Sequence, residues 1–202
     1  SIFPAGRDFF DEGELALLNE VAADVSFGLQ AIAEREKVEY LSYYDALTGL
    51  PNRALFLDRA QNQMRARGGE RLLVALVLLN IERFSHINGS LGRDAGDRLL
   101  KLVAQRLESA LRGKEHLARI GADNFGILLR GMRDSASVVR VVEQQVLNCF
   151  NEPFMLNEAD VRVAAKVGIA LYPTDGEQAD MLFNNAEAAL APTKALMAVA
   201  TR

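Results

Sequence analysis

Apolar residues recur every seven positions near the start of the chain. Leu15, Ala22 and Leu29 form one series, and Leu18, Val25 and Ile32 form a second, offset by three. Such an a/d seam predicts a long helix that pairs with another helix or packs on a domain. The next positions in the two series are Glu36 and Glu39, so the seam weakens and the charged stretch around them predicts a linker.

From Tyr43 the pattern becomes that of a globular unit. Asp45–Arg53 gathers Gly, Pro and Asn and predicts a turn, followed by a helix over 54–66. Arg71–Ile81 is a continuous apolar run, the pattern of a strand buried on both faces in a mostly parallel sheet. Gly89–Gly96 predicts a loop. Leu99, Val103, Leu107 and Leu111 then fall at helical spacing. Leu117–Ile120 and Phe125–Leu129 predict a hairpin through Gly121-Ala122-Asp123-Asn124. A helix is expected over 135–150. Val161, Val163, Ala165, Val167, Ile169 and Leu171 alternate without a break and predict one strand, with Phe154–Leu156 paired to it as a hairpin. A last helix starts near Gln178 and should end or kink at Pro192. The order of elements predicts an α/β (α+β) domain, a mixed sheet flanked by helices.

Composition narrows the function classes. Half of the 202 residues are apolar, enough for a sizeable core, and the longest apolar run, Leu72–Leu79, is far too short to span a bilayer. Residues 1–43 carry three basic and nine acidic side chains against a net charge of −4 for the whole chain. No polybasic face for DNA or RNA is apparent, whereas a small anionic ligand in a local pocket is compatible. The lone Cys149 excludes an internal disulfide and fits a reducing, cytoplasmic compartment; it reads as a core residue. His86 and His116 have no metal-ligand spacing to each other or to Cys149. Without an initiator Met, the chain is expected to be part of a longer protein.

Four segments carry the chemistry: DALTGLPNR (Asp45–Arg53), NIERFSHINGSLGRDAGD (Asn80–Asp97), RIGADNF (Arg119–Phe125) and VGIALYPTDG (Val167–Gly176), the last followed by a helix ending near Lys194. Together, in this order and spacing, they resemble the GGDEF family, the diguanylate cyclases that join two GTP molecules into cyclic di-GMP. The resemblance covers about residues 43–195. It implies a five-stranded sheet with flanking helices, related to adenylyl cyclase and polymerase palm domains, and Mg²⁺ as the cofactor when nucleotide is bound. It also makes Phe9–Leu29 similar to the last helix of a GAF sensory domain. VGIALYPTDG is similar to the motif found where a GGDEF domain precedes an EAL phosphodiesterase domain. The domains implied are a sensor tail and signalling helix over 1–42 and a degenerate GGDEF domain over 43–202.

Cyclisation needs cations to neutralise the triphosphate and a group to take the hydroxyl proton. By the resemblance, Asn80 stands where an Asp holds metal, Asn124 where a Glu assists deprotonation, and Ala122 where a Gly lets backbone approach phosphate. Ser85 replaces a usual Lys, and Ala191 replaces a Tyr. A neutral amide contributes no charge to a metal site and cannot act as a base. Asp123 keeps the third-position acid. Glu82, two residues beyond Asn80, is a substitute metal ligand or an ion-pair partner. Asn88 and Asp97 match the guanine-recognising pair, or else cap a loop and a helix; Gly121 and Lys194 match phosphate-side positions. Arg112 and Glu115 match an Arg-x-x-Asp product-inhibition site, with Glu longer by one methylene, or form a solvated helix end. Three readings follow: a GTP-binding regulatory module for a linked EAL-type domain, a weak diguanylate cyclase, and a structural module that homodimerises through the N-terminal helix.

Overall fold

The computed structural model describes residues 12–66, 72–111, 116–156 and 158–190. The chain divides into two compact units, 1–41 and 42–202. Its residues 12–41 lie in one continuous helix, α1 (Glu12–Tyr43). The charged stretch around Glu36 and Glu39, expected as a linker, is helical throughout. Its Glu and Lys residues are good helix formers, and that local preference carries the helix past the end of the heptad pattern. On α1, Val21, Val25 and Leu29 are exposed.

The second unit runs α2 (Arg53–Arg65), β1 (Leu73–Ile81), α3 (Phe84–Leu91), α4 (Arg93–Leu111), β2 (Leu117–Arg119) and β3 (Asn124–Met132). It continues with α5 (Ser135–Val141), which passes through a π turn and a 3-10 turn to Phe150, then β4 (Phe154–Leu156), β5 (Ala159–Val161), β6 (Ala165–Tyr172) and α6 (Ala179–Leu190). The main sheet has the order β2-β3-β1-β6, and its neighbours are antiparallel. Its α+β architecture, helices flanking an antiparallel sheet, keeps the expected class and corrects the five-stranded mixed arrangement. The uninterrupted apolar run of β1 reflects burial on both faces, which helices provide whatever the strand direction. Ala75, Val77, Leu79 and Ile81 join the core shared with α4, and Val74, Leu76 and Leu78 join the core shared with α2 and α6.

Two further expectations fail. Residues 89–96 are not a loop but the end of α3 and the start of α4, broken only at Gly92, whose φ of 87° is accessible to glycine at little cost. The weak helix formers Asn88, Gly89 and Ser90 are held helical by α3 packing on α4. The alternating stretch Val161–Leu171 is not one strand either. β5 pairs only with β4, as the hairpin expected there, and 162–164 separate it from β6. Pro192 lies outside the described residues. No described helix is long and apolar enough to cross a membrane.

Candidate nucleotide site

One arginine at the end of β2 ties the hairpin between β2 and β3 to the turn before α2. Arg119 Nη1 donates to both Asp45 carboxylate oxygens, at 2.9 and 3.0 Å, and Nη2 donates to the Ala122 carbonyl at 2.9 Å. The Arg119 amide donates to the Pro51 carbonyl at 2.9 Å. Asp45 also accepts from the Thr48 amide and hydroxyl, at 2.9 and 2.6 Å. Burial works against the charge of Asp45, but the Thr48 bonds and the Arg119 guanidinium outweigh it and hold the carboxyl below its ordinary range. The turn 45–52 therefore serves the hairpin as well as opening α2, which Asn52 caps through its side-chain oxygen. Ala122 and Gly121 are exposed at the hairpin tip, and Asp123 is half-buried. The Asp123 carbonyl accepts from the Ile81 amide, tying the tip to the end of β1.

At that end, strand register assembles a row. Asn80 faces Asn124 on β3 and Lys166 on β6. Directly opposed residues present their side chains to one face. Asn80 Nδ2 donates to Asn124 Oδ1 at 2.8 Å, and Lys166 Nζ lies 3.0 Å from Glu82 Oε1. The Asn124 side chain covers the Gly121 α-carbon, with its Nδ2 3.2 Å from where a β-carbon would sit. Glu82 makes the ion pair, one of the two roles offered for it above. The donor set does not suit Mg²⁺. Asn80 and Asn124 are amides bonded to each other and Glu82 is held by an ammonium, so of the candidate metal residues Asp123 remains. Among the described residues no group of three or more His, Cys, Asp or Glu side chains converges as a metal site.

The second part of the site lies on the helices that leave β1. Chain reversal takes only Glu82 and Arg83, the latter in the left-handed region at φ 56°. The Asn88 side chain lies against α4 at Gly96: a β-carbon there would fall 1.8 Å from Asn88 Oδ1. That oxygen is buried and accepts no hydrogen bond. Asp97, next to Gly96, is exposed. A buried acceptor of this kind costs about 1–3 kcal/mol unless a donor reaches it. A groove of about 430 Å³ runs along α3, lined by Glu82, Arg83, His86 and Ile87 among others, with Asn88 and Asp97 outside its lining.

Residues 42–198 match the family model for "Diguanylate cyclase, GGDEF domain". The chain belongs to the GGDEF family. It is 36% identical over 160 residues to the cyclic di-GMP phosphodiesterase NbdA of Pseudomonas aeruginosa, covering 77% of this chain and 20% of that protein. It is 34% identical over 160 residues to the bifunctional diguanylate cyclase/cyclic di-GMP phosphodiesterase MucR of the same organism, covering 79% and 23%. The chain thus spans less than a quarter of either relative. The crystal structure of the GGDEF domain of TpbB from Pseudomonas aeruginosa superposes with a TM-score of 0.66 at 32% identity, covering 71% of this chain and 89% of that one. The chain is therefore a GGDEF domain of cyclic di-GMP signalling.

Of the predicted site residues, the GGDEF frame brings Asn80, Glu82, Asp123 and Asn124 to one sheet end and sets Asn88 against the helix that carries Asp97. Arg112, Glu115, Ala191 and Lys194 lie outside the described residues. Sequence reasoning missed Lys166, which reads there only as a polar position in an alternating strand, and the Asp45–Arg119 pair, whose members sit in two separate motifs. It also missed Arg106, which donates to the carbonyls of Cys149, Glu152 and Pro153 at 2.7–2.8 Å and stacks 3.8 Å over the Phe154 ring. The role of Arg106 is to close the end of the long helical segment onto β4. Cys149 is buried beside it, and burial pushes its thiol pKa up, partly opposed by the Arg106 charge.

Proposed function

We propose that this GGDEF domain binds GTP or a related guanine nucleotide without cyclising it, and regulates an EAL-type phosphodiesterase domain in a longer chain. The observation that supports it is a contrast at one end of the sheet. The groups that would activate a ribose hydroxyl are amides closed on each other, while the Asn88 oxygen stands buried and unpaired beside Asp97. Guanine suits that pair, because its ring N–H and exocyclic amine donate along one edge and both residues offer acceptors. Gly121 at the hairpin tip, and Lys194 beyond α6, would serve the phosphate side. The names of NbdA and MucR support the linked phosphodiesterase.

Calorimetry with GTP tests the reading directly. Saturable binding lost in Asn88→Ala supports it, and no heat at millimolar GTP sinks it. A weak cyclase is the second reading, favoured by Asp123, whose carboxylate is retained at the hairpin tip. Chromatography after prolonged incubation with GTP and Mg²⁺ or Mn²⁺ separates the two, since accumulated cyclic di-GMP would establish residual catalysis. The reading as a dimerising module is favoured by the exposed Val25 and Leu29 of α1. A monomer in sedimentation, with α1 present, would count against it.

A further inference from the structure

Charge balance in the row Asn124–Asn80–Lys166–Glu82 comes from within the protein. Asn80 and Asn124 carry no charge and satisfy each other through the 2.8 Å hydrogen bond. Lys166 projects beside Asn80 from the neighbouring strand and neutralises Glu82 at 3.0 Å. A divalent ion entering here would find an amide where it needs a carboxylate, Glu82 already paired, and an ammonium of its own sign. Lys166 remains half exposed, at 51%, so its other two N–H donors face solvent and any anion that approaches.

We propose that Lys166 takes the place of the divalent cation, so that this pocket excludes Mg²⁺ and Mn²⁺ and takes its nucleotide metal-free. The nucleotide part rests on the binding reading above; the exclusion of metal does not. Lys166 is thus a tethered cation built into the sheet, present whatever the metal concentration.

The test begins without nucleotide. The ¹⁵N-labelled full chain is titrated with Mn²⁺ to millimolar concentration while amide line widths are followed. No selective broadening of Ile81, Asp123 and Asn124 is expected, and selective broadening there overturns the proposal. Two variants locate the cause. Asn80→Asp alone should stay silent, because Lys166 pairs with the new carboxylate. Asn80→Asp with Lys166→Ser should gain selective broadening at those three amides. Equal Mn²⁺ binding by both variants, or a folded double variant that remains silent, overturns the role given to Lys166. A second arm measures GTP affinity in Mg²⁺ and in EDTA. Affinities that agree within a small factor support metal-free binding, and a loss of about tenfold or more in EDTA overturns it. Absence of GTP binding in both buffers defeats the binding reading and with it the metal-free nucleotide, and the Mn²⁺ titration still decides the exclusion of metal.

Discussion

The two parts of the candidate site differ in what their polar groups still lack. On the sheet, Asn80, Asn124, Lys166 and Glu82 have found partners in each other. On the helices, Asn88 Oδ1 is buried with no donor. A satisfied amide pair contributes about 1 kcal/mol and asks for nothing further, whereas an orphaned acceptor costs about that or more until a ligand arrives. The loss of catalysis and the retained binding edge proposed above would therefore be separable physical events in one fold. The amide bond on the sheet stabilises the free domain, and the orphan on the helices carries a cost.

The largest effect should come from reversing the sheet side. Asn80→Asp, Ala122→Gly and Asn124→Glu, combined with Lys166→Ser, restore the metal carboxylate and the base and release them from the ammonium. Cyclic di-GMP formation, followed by chromatography, should rise by at least about 10²-fold over the unaltered chain. No product from a folded, GTP-binding variant would break the comparison, because the damage would then extend beyond the row.

Next is the support of the hairpin. Arg119→Ala removes the counter-charge of Asp45, which keeps only its Thr48 bonds, and the side-chain donor of the Ala122 carbonyl, and should cost about 2 kcal/mol in urea unfolding. The pH dependence carries a definite sign. The Asp45 carboxyl is held below its unfolded value, so its contribution is complete above the ordinary carboxylate range and disappears as pH falls through the folded pKa. Asp45→Asn should therefore be less stable than the parent at neutral pH, and the gap should narrow on acidification below about pH 4. A gap independent of pH would show that packing of the turn, rather than charge, is what Asp45 contributes.

A pair of alanine variants separates the two parts directly. Asn88→Ala should weaken GTP binding by about tenfold or more, about 1.4 kcal/mol, while leaving the melting temperature unchanged or raised, since it deletes an unpaired group. Asn80→Ala should do the reverse on the sheet, lowering stability by about 1 kcal/mol through loss of the amide bond to Asn124. Matching losses of stability in both variants would erase the distinction.

Much of this domain was legible in its apolar pattern. β1, α2 and the hairpin follow from runs and turn residues whose local preference agrees with the final packing. The failures are informative in the same terms. Residues 88–90 are poor helix formers that tertiary contact with α4 holds in place, so composition suggests a loop. The alternation from Val161 to Leu171 continues across 162–164 although the pairing partner changes, and alternation reports facing, not pairing. In the candidate site, the amides Asn80 and Asn124 were visible as residue types. Their pairing was not, because the Asn80–Asn124–Lys166 row exists only once three distant strands are in register. Arg106 was hidden for a similar reason: its partners are backbone carbonyls more than forty positions away, which no residue type announces.

Gly96 offers the smallest stability change and the finest test of the helical side. A β-carbon there would fall 1.8 Å from Asn88 Oδ1 and 2.9 Å from its Cγ, with Phe84 Cζ at 3.2 Å. The closest atoms are the far end of a flexible side chain, so Gly96→Ala can be accommodated by swinging the amide away. Alanine also gains up to about 1 kcal/mol of helix propensity over glycine in α4, offset by the shift of Asn88 and the contact with Phe84. The net change in unfolding free energy should stay within about 0.5 kcal/mol. GTP affinity should nevertheless fall as far as in Asn88→Ala, because the acceptor no longer occupies its place beside Asp97. Adding Gly96→Ala to Asn88→Ala should then weaken binding no further, since both changes remove the same group. Additive losses would mean that Gly96 admits the base itself and that Asn88 contacts it elsewhere.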